Sequence, residues 1–201
     1  MSSHSANHET LEGWAGSQYL SLGLVFTDIV ASTEIGIKLG DKHWIEQLFR
    51  HFAKGREIAS RFDSHVVKVI GDSLMLAFRT ASDAVSFAVG FAQNTGVEHI
   101  GIRVGINSGD VEIRENDIYG LNVNFTSRVQ HALPAEGILV AGSVKEDYQK
   151  QFGVSSNVHF DSCEVDLKSF GTRTVYSVRS FDLTMARTNQ RNARSSIFEF
   201  L

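Results

Sequence analysis

The order of hydrophobic periods along this chain predicts an α/β (α+β) domain with a ferredoxin-like βαββαβ core and a mainly antiparallel sheet. Two observations carry the prediction. Short apolar runs of strand length alternate with longer segments of helical spacing. Two of the runs, residues 66–70 and 74–78, are separated only by Gly71-Asp72-Ser73, which is a hairpin signature. Strand, helix, hairpin, helix and strand in that order match a split βαβ arrangement, expected to carry its helices on one sheet face.

Residues 22–27 read as the first buried strand. A helix follows from about Ser32, with Ser32 or Thr33 near its start. Trp44, Ile45, Leu48, Phe49 and Phe52 recur at helical spacing as one apolar stripe, expected in the core. Ala84, Phe87, Ala88 and Phe91 mark a second helix, and residues 102–106 another strand. Residues 123–132 form a third helix, and 138–141 and 175–178 complete the strands. The domain is placed at residues 20–180, between a flexible leader (1–19) and a polar tail (181–201) whose end is apolar.

Of 201 residues, 42% are hydrophobic and 21% charged, the balance of a globular protein, and the length fits one domain with tails. A formal net charge of -4 with no basic run argues against nucleic acid as a partner. Cys163 is the single cysteine and reads as a packing residue, so no intrachain disulfide is expected. No apolar stretch is long enough to span a membrane, and the polar start lacks the apolar centre of a secretory signal. A cytoplasmic location is therefore expected.

Three segments hold polar groups where chemistry could use them. Asp28 ends the first strand just before a helix, whose free N–H groups could hold phosphates, although a plain helix cap has the same pattern. Asp72 sits at the hairpin tip beside Gly71, and Lys68 interrupts an otherwise apolar strand, where it needs a partner or an exit to water. Asn124 and Arg128 are spaced to share one helix face, placing an amide beside a guanidinium suited to phosphate. Two carboxylates on adjacent sheet elements suit Mg²⁺ or Mn²⁺, which take oxygen ligands and share them with substrate phosphates. The histidines are scattered and offer no zinc-type pair on one helix.

Taken in order, Phe26-Thr27-Asp28-Ile29, Lys68-Val69-Ile70-Gly71-Asp72, Arg103-Val104-Gly105-Ile106 with Ser108-Gly109, and Asp117-Ile118-Tyr119-Gly120 leading into Val123-Asn124-Phe125-Thr126-Ser127-Arg128 resemble the class III adenylate/guanylate cyclases. Leu167-Lys168-Ser169-Phe170-Gly171 and Val175-Tyr176 look like that family's closing segment, so the resemblance spans roughly residues 22–180. It implies the class III nucleotidyl cyclase fold and an adenylate cyclase that forms cyclic AMP from ATP with two divalent metal ions. Asp28 and Asp72 match the metal ligands, with the Ile29 carbonyl as a further one. Lys68 and Asp117 match the pair that reads adenine, and Asn124 and Arg128 the pair that stabilises the transition state. Arg103 matches a triphosphate contact, Lys168 the same from a second subunit, and Thr33 is a further substrate-binding candidate. Guanine-reading members commonly carry an acid at the position of Lys68, so ATP is expected over GTP; a guanylate cyclase or an inactive nucleotide-binding module are the alternatives. The family works as a head-to-tail dimer, and this chain holds both halves of the site, which implies a homodimer. The segment from Gly109 to Asp117 is short, as in a bacterial subgroup.

Overall fold

The computed structural model describes residues 10–153 and 157–180. In chain order the elements are α1 (Leu11–Ala15), β1 (Tyr19–Ile29), α2 (Ser32–Leu39), α3 (Asp41–Ala59), β2 (Ser64–Ile70), β3 (Ser73–Phe78), α4 (Ala81–Gln93), β4 (Ile102–Arg114), β5 (Asp117–Tyr119), α5 (Leu121–His131), β6 (Gly137–Ala141), α6 (Gly142–Phe152), β7 (Val158–Leu167) and β8 (Gly171–Ser180). The sheet order is β2-β3-β1-β4-β6-β8-β7, with β5 paired to β4. Among the described strands only the pairing of β4 with β6 is parallel. The first four strands with α3 and α4 make the expected βαββαβ core.

Alternation along β1 sorts the sheet into two faces. Val25 and Ile29 join Leu74, Leu76, Phe78, Val104 and Ile106 under α3, α4 and α6, where Phe52, Ile58, Phe87, Phe91, Val144 and Tyr148 close the main core. Leu22, Leu24 and Phe26 point the other way, with Met75, Ala77, Val111, Ile113 and Ile118. Helix α5 lies on this second face through Val129, which packs with Leu139, Leu167 and Val175. Helices therefore cover both faces, not the single face expected. The reason lies in β4: a Cβ on Gly105 would stand 2.4 Å from the Gln130 amide nitrogen, so a bare backbone is what lets α5 seat there.

The leader expected over residues 1–19 is corrected for its described part. Residues 11–15 form α1, capped by the Thr10 hydroxyl and ended by Gly16 in the left-handed conformation (φ 68°). Leu11 and Ala15 are buried against the second-face cluster. Arg79 fastens the helix by donating to the carbonyls of Trp14 and Ala15, and its guanidinium lies 4.5 Å from the Trp14 ring centre. The remainder of the leader, residues 1–9, and the tail at 181–201 lie outside the described residues.

Three further differences have local causes. The first helical segment is broken in two at Gly40 (φ 76°). Of the five stripe residues only Trp44, Leu48 and Phe52 turn inward; Ile45 is 50% and Phe49 68% exposed, so the apolar stripe is wider than the core it meets. The strand expected at residues 102–106 continues to Arg114, because Ser108, Gly109 and Asp110 pair with β1 despite their turn-like composition. Among the described residues no helix is long and apolar enough to cross a membrane.

Candidate active site

Asp28 stands one residue from the end of β1 with its side chain on the face that carries α5, as the alternation Leu24, Phe26, Asp28 requires. Its cross-strand partner on β4 is Arg103. The guanidinium grips carboxylate oxygen Oδ2 through Nε at 2.9 Å and through its terminal nitrogen. Ser73, the first residue of β3, donates its hydroxyl to Oδ1 at 3.3 Å. The neighbouring Thr27 is fully buried and accepts the Leu74 amide at 3.0 Å, which pins the start of β3 to β1. The hairpin tip with Asp72 is thereby held beside Asp28. Gly71 (φ 61°) supplies the left-handed turn that brings Asp72 round.

Asp72 has one carboxylate oxygen, Oδ2, buried without a hydrogen-bond partner. A buried carboxylate oxygen is costly to leave unpaired. That orphan fits a cation-binding role. Asp28 is already paired with Arg103, so a metal ion bound there would compete with the guanidinium. No group of three or more His, Cys, Asp or Glu side chains clusters among the described residues. The donor set is therefore two carboxylates and nearby backbone, which matches Mg²⁺ or Mn²⁺ that keep water and phosphate ligands, and does not match zinc. The Ile29 side chain is buried, leaving only its backbone to act.

Helix α2 begins at Ser32, three residues beyond the end of β1, behind Ala31 in the left-handed conformation (φ 57°) and without a side-chain cap. Its first amides are thus left for another acceptor, the arrangement that suits phosphate. Thr33 lies in that first turn and is exposed.

Lys68 and Asp117 meet elsewhere on the sheet. A bulge between Val66 and Lys68 shifts the register of β2. The Lys68 ammonium then donates to Asp117 Oδ2 at 2.5 Å, and Asp117 Oδ1 accepts the Ile118 amide at 2.8 Å. Lys68 is 40% and Asp117 25% exposed, so the pair keeps an edge open to a ligand. The lysine that interrupts an apolar strand thus has its partner.

Asn124 and Arg128 sit on α5 with no side-chain hydrogen bond or ion pair to the described residues. At about 100° per residue, Asn122, Thr126, Val129 and Gln130 form the stripe against the sheet. Thr126, Val129 and Gln130 are buried, and Asn122 is held by Asn107 at 3.1 Å. Asn124 falls roughly 175° and Arg128 roughly 145° from the centre of that stripe. They project away from their own sheet. Lys168 is exposed in the β7–β8 turn. The chain therefore joins Asp28 to Arg103, sets Asp72 in the turn directly before Ser73, whose hydroxyl reaches Asp28, and joins Lys68 to Asp117. No hydrogen bond or ion pair links Asp28, Asp72 or Arg103 to Lys68 or Asp117, or any of the five to Asn124 or Arg128, among the described residues. Sequence reasoning missed Ser73; its only signal is a hydroxyl directly after the hairpin aspartate.

His51 of α3 lies beneath the hairpin, fully buried against Phe91 with ring centres 4.7 Å apart. Its Nδ1 is 2.9 Å from the Thr95 carbonyl and so carries the proton. Burial holds its pKa below the usual histidine value, with the Thr95 bond and the charge of Asp72 opposing less strongly.

These elements are those of a nucleotidyl cyclase catalytic domain. The chain belongs to the adenylate and guanylate cyclase catalytic domain family, whose model matches residues 15–180. An adenylate cyclase from Streptomyces griseus is 25% identical over 124 residues, covering 61% of this chain and 31% of that protein. A cytidylate cyclase from Escherichia coli is 25% identical over 158 residues, covering 61% of this chain and 34% of its own length. The chain thus spans about a third of the length of these curated relatives. Among solved structures, the adenylyl cyclase CyaB from P. aeruginosa shares the fold with a TM-score of 0.71 at 21% identity, covering 81% of this chain and 95% of that one. The catalytic core of a rhodopsin-guanylyl cyclase with converted specificity, in complex with ATPalphaS, gives 0.71 at 24% identity, covering 81% and 97%.

Proposed function

We propose that this domain converts ATP to 3′,5′-cyclic AMP and pyrophosphate, at sites completed by a second copy of the chain. The Lys68–Asp117 pair carries the choice of base. Adenine presents an acceptor at N1 and a donor at N6; an ammonium donates and a carboxylate accepts, so the pair complements that edge. Guanine presents the reverse order, and a site built to hydrogen-bond rejects a base that leaves buried groups unpaired.

In the reaction the ribose 3′-hydroxyl gives its proton to Asp28 or to water as its oxygen attacks the α-phosphorus, the bond to the bridging oxygen breaks, and pyrophosphate leaves with that oxygen. Asp28, Asp72 and the Ile29 carbonyl would hold two divalent ions, which when bound acidify the 3′-hydroxyl and neutralise the triphosphate. Arg103, released from Asp28, would turn to the triphosphate, together with the uncapped start of α2 around Thr33. Arg128 stabilises the charge growing on the α-phosphoryl group, Asn124 holds the ribose, and Lys168 reaches the triphosphate from the second copy. The outward aim of Asn124 and Arg128 supports that division, because side chains facing away from their own sheet can serve a site on another.

The test is turnover of ATP, GTP and CTP with Mg²⁺ and with Mn²⁺, followed by mixing Asp72→Ala with Arg128→Ala protein. Each variant alone should be inactive, and the mixture should recover part of the activity because one site regains both residues. A preference for GTP or CTP would overturn the base assignment. Absence of recovery with proven exchange of subunits would overturn the shared site.

A further inference from the structure

Asp117 belongs to a short β-ribbon whose tip is tied to α1. Strand β5 has three residues and, among the described strands, forms a ladder only with β4, pairing Asp117 with Arg114, Ile118 with Ile113 and Tyr119 with Glu112. The turn is the two-residue Glu115-Asn116, with φ values of 53° and 56°. Both residues are left-handed, the geometry of a tight hairpin turn whose twist matches its strands. Asparagine accepts that conformation readily and glutamate does not, so the turn stores strain at Glu115.

A ribbon so short has little of its own to hold it. Two bonds to α1 supply what the ladder lacks. Asn116 Oδ1 accepts the Leu11 amide at 3.1 Å, and Glu12 Oε1 accepts the Asn116 amide at 2.7 Å. The exchange is reciprocal: each segment caps a backbone donor of the other. The α1 end of this clasp is anchored by Leu11 in the second-face cluster and by Arg79 on the carbonyls of Trp14 and Ala15. The other end is the residue directly before Asp117. The carboxylate of Asp117 is therefore oriented from two sides, by Lys68 and Ile118 on its own oxygens and by the clasp through its backbone.

We propose that Glu12 and Asn116 are positioning residues for base recognition: through the α1 clasp they set the pose in which Asp117 and Lys68 meet the nucleobase. The inference rests on the assignment of Lys68 and Asp117 as the base-reading pair. Neither Glu12 nor Asn116 touches substrate. Loosening the clasp leaves the chemistry in place and lowers discrimination between bases.

The experiment compares Glu12→Ala, Glu12→Gln and Asn116→Gly with wild type in the full chain, and Asp117→Ala as the reference for complete loss. Glutamine keeps an oxygen acceptor at position 12. Glycine keeps the left-handed backbone at position 116 and removes the side-chain acceptor. Readouts are KM and kcat for ATP and GTP, and amide exchange at Ile118, whose N–H is bonded to Asp117. Glu12→Ala and Asn116→Gly should raise KM for ATP and lower the ATP-to-GTP ratio of kcat/KM by about three- to tenfold, the worth of one hydrogen bond. Exchange at Ile118 should quicken by a similar factor, and Glu12→Gln should behave as wild type. Variants that lose kcat equally for both nucleotides with KM unchanged, as simple destabilisation would cause, overturn the proposal. Unchanged KM and ratio overturn it also. Where Asp117→Ala abolishes base preference and the clasp variants keep it, the clasp alone is refuted; where Asp117→Ala itself keeps the preference, the base-reading assignment falls and the clasp with it.

Discussion

Alanine at Gly105 puts the seating of α5 to a quantitative test. The added Cβ would lie 2.4 Å from the Gln130 amide nitrogen, 2.6 Å from its Cβ and 2.7 Å from its Cα. Unstrained contacts begin near about 3.5 Å. The obstructing atoms include backbone, so no rotamer change relieves them, and α5 must retreat from β4 by about 1 Å. Overpacking of this kind costs about 1–3 kcal/mol. For a domain of this size that corresponds to a fall in Tm of about 2–12 °C. The helix also carries Asn124 and Arg128, the proposed transition-state pair, and displacement of reacting groups by about 1 Å can cost about 10²-fold in rate. Differential scanning calorimetry and initial rates of cyclic AMP formation, measured on Gly105→Ala and on Gly109→Ala, read both effects. At Gly109 the three nearest atoms to an added Cβ all belong to the Asn122 side chain, the first 2.5 Å away, so Gly109→Ala should lose less. Wild-type Tm and kcat in Gly105→Ala would refute the claim that contact between β4 and α5 fixes the outward pair.

Gly90, inside α4, is the opposite case: its added Cβ would meet Ile58 at an ordinary 3.6 Å, so Gly90→Ala should stabilise the fold by about 0.5–1 kcal/mol in chemical denaturation. Lys68→Met should lower kcat/KM for ATP by about 10- to 150-fold, as hydrogen bonds to charged groups contribute about 1.5–3 kcal/mol. His51, its pKa held down by burial, makes the fold sensitive to acid. Both states are neutral there well above pH 6.5; below it the unfolded chain binds the proton first, so stability falls with pH until the folded pKa is passed, by at most about 1.4 kcal/mol per pH unit. His51→Asn keeps a donor for the Thr95 carbonyl and cannot titrate, so thermal melts between pH 8 and pH 5 should lose that component of the slope.

The βαββαβ order was legible because its apolar runs keep one phase. Strand β7 was not, and its side chains show why. Val158 and Phe160 pack on the main-core face, whereas Cys163, Val165 and Leu167 pack on the other, along a ladder with unbroken register. The apolar alternation changes phase in mid-strand, which erases the period-two signal. Helix α1 was hidden by brevity and by stabilisation from distant partners, Arg79 and Asn116. In the site, each aspartate alone reads as a cap or a turn, and the order of motifs was what singled them out. The Arg103–Asp28 contact depends on the β1–β4 register, and the clasp on a hydrogen bond between residues 105 positions apart in sequence. Neither leaves a local trace in the chain.

The bare backbone at Gly105 has a mechanical consequence. Strand β4 carries Arg103 near one end, and α5, seated two residues further on, carries Asn124 and Arg128. With no side chain between them to act as a cushion, strand and helix would move as one lever. In the proposed dimer a small rotation of one copy would move its metal-side groups at one site and its phosphate-side groups at the other in the same stroke, so the two sites would be geared to open and close together.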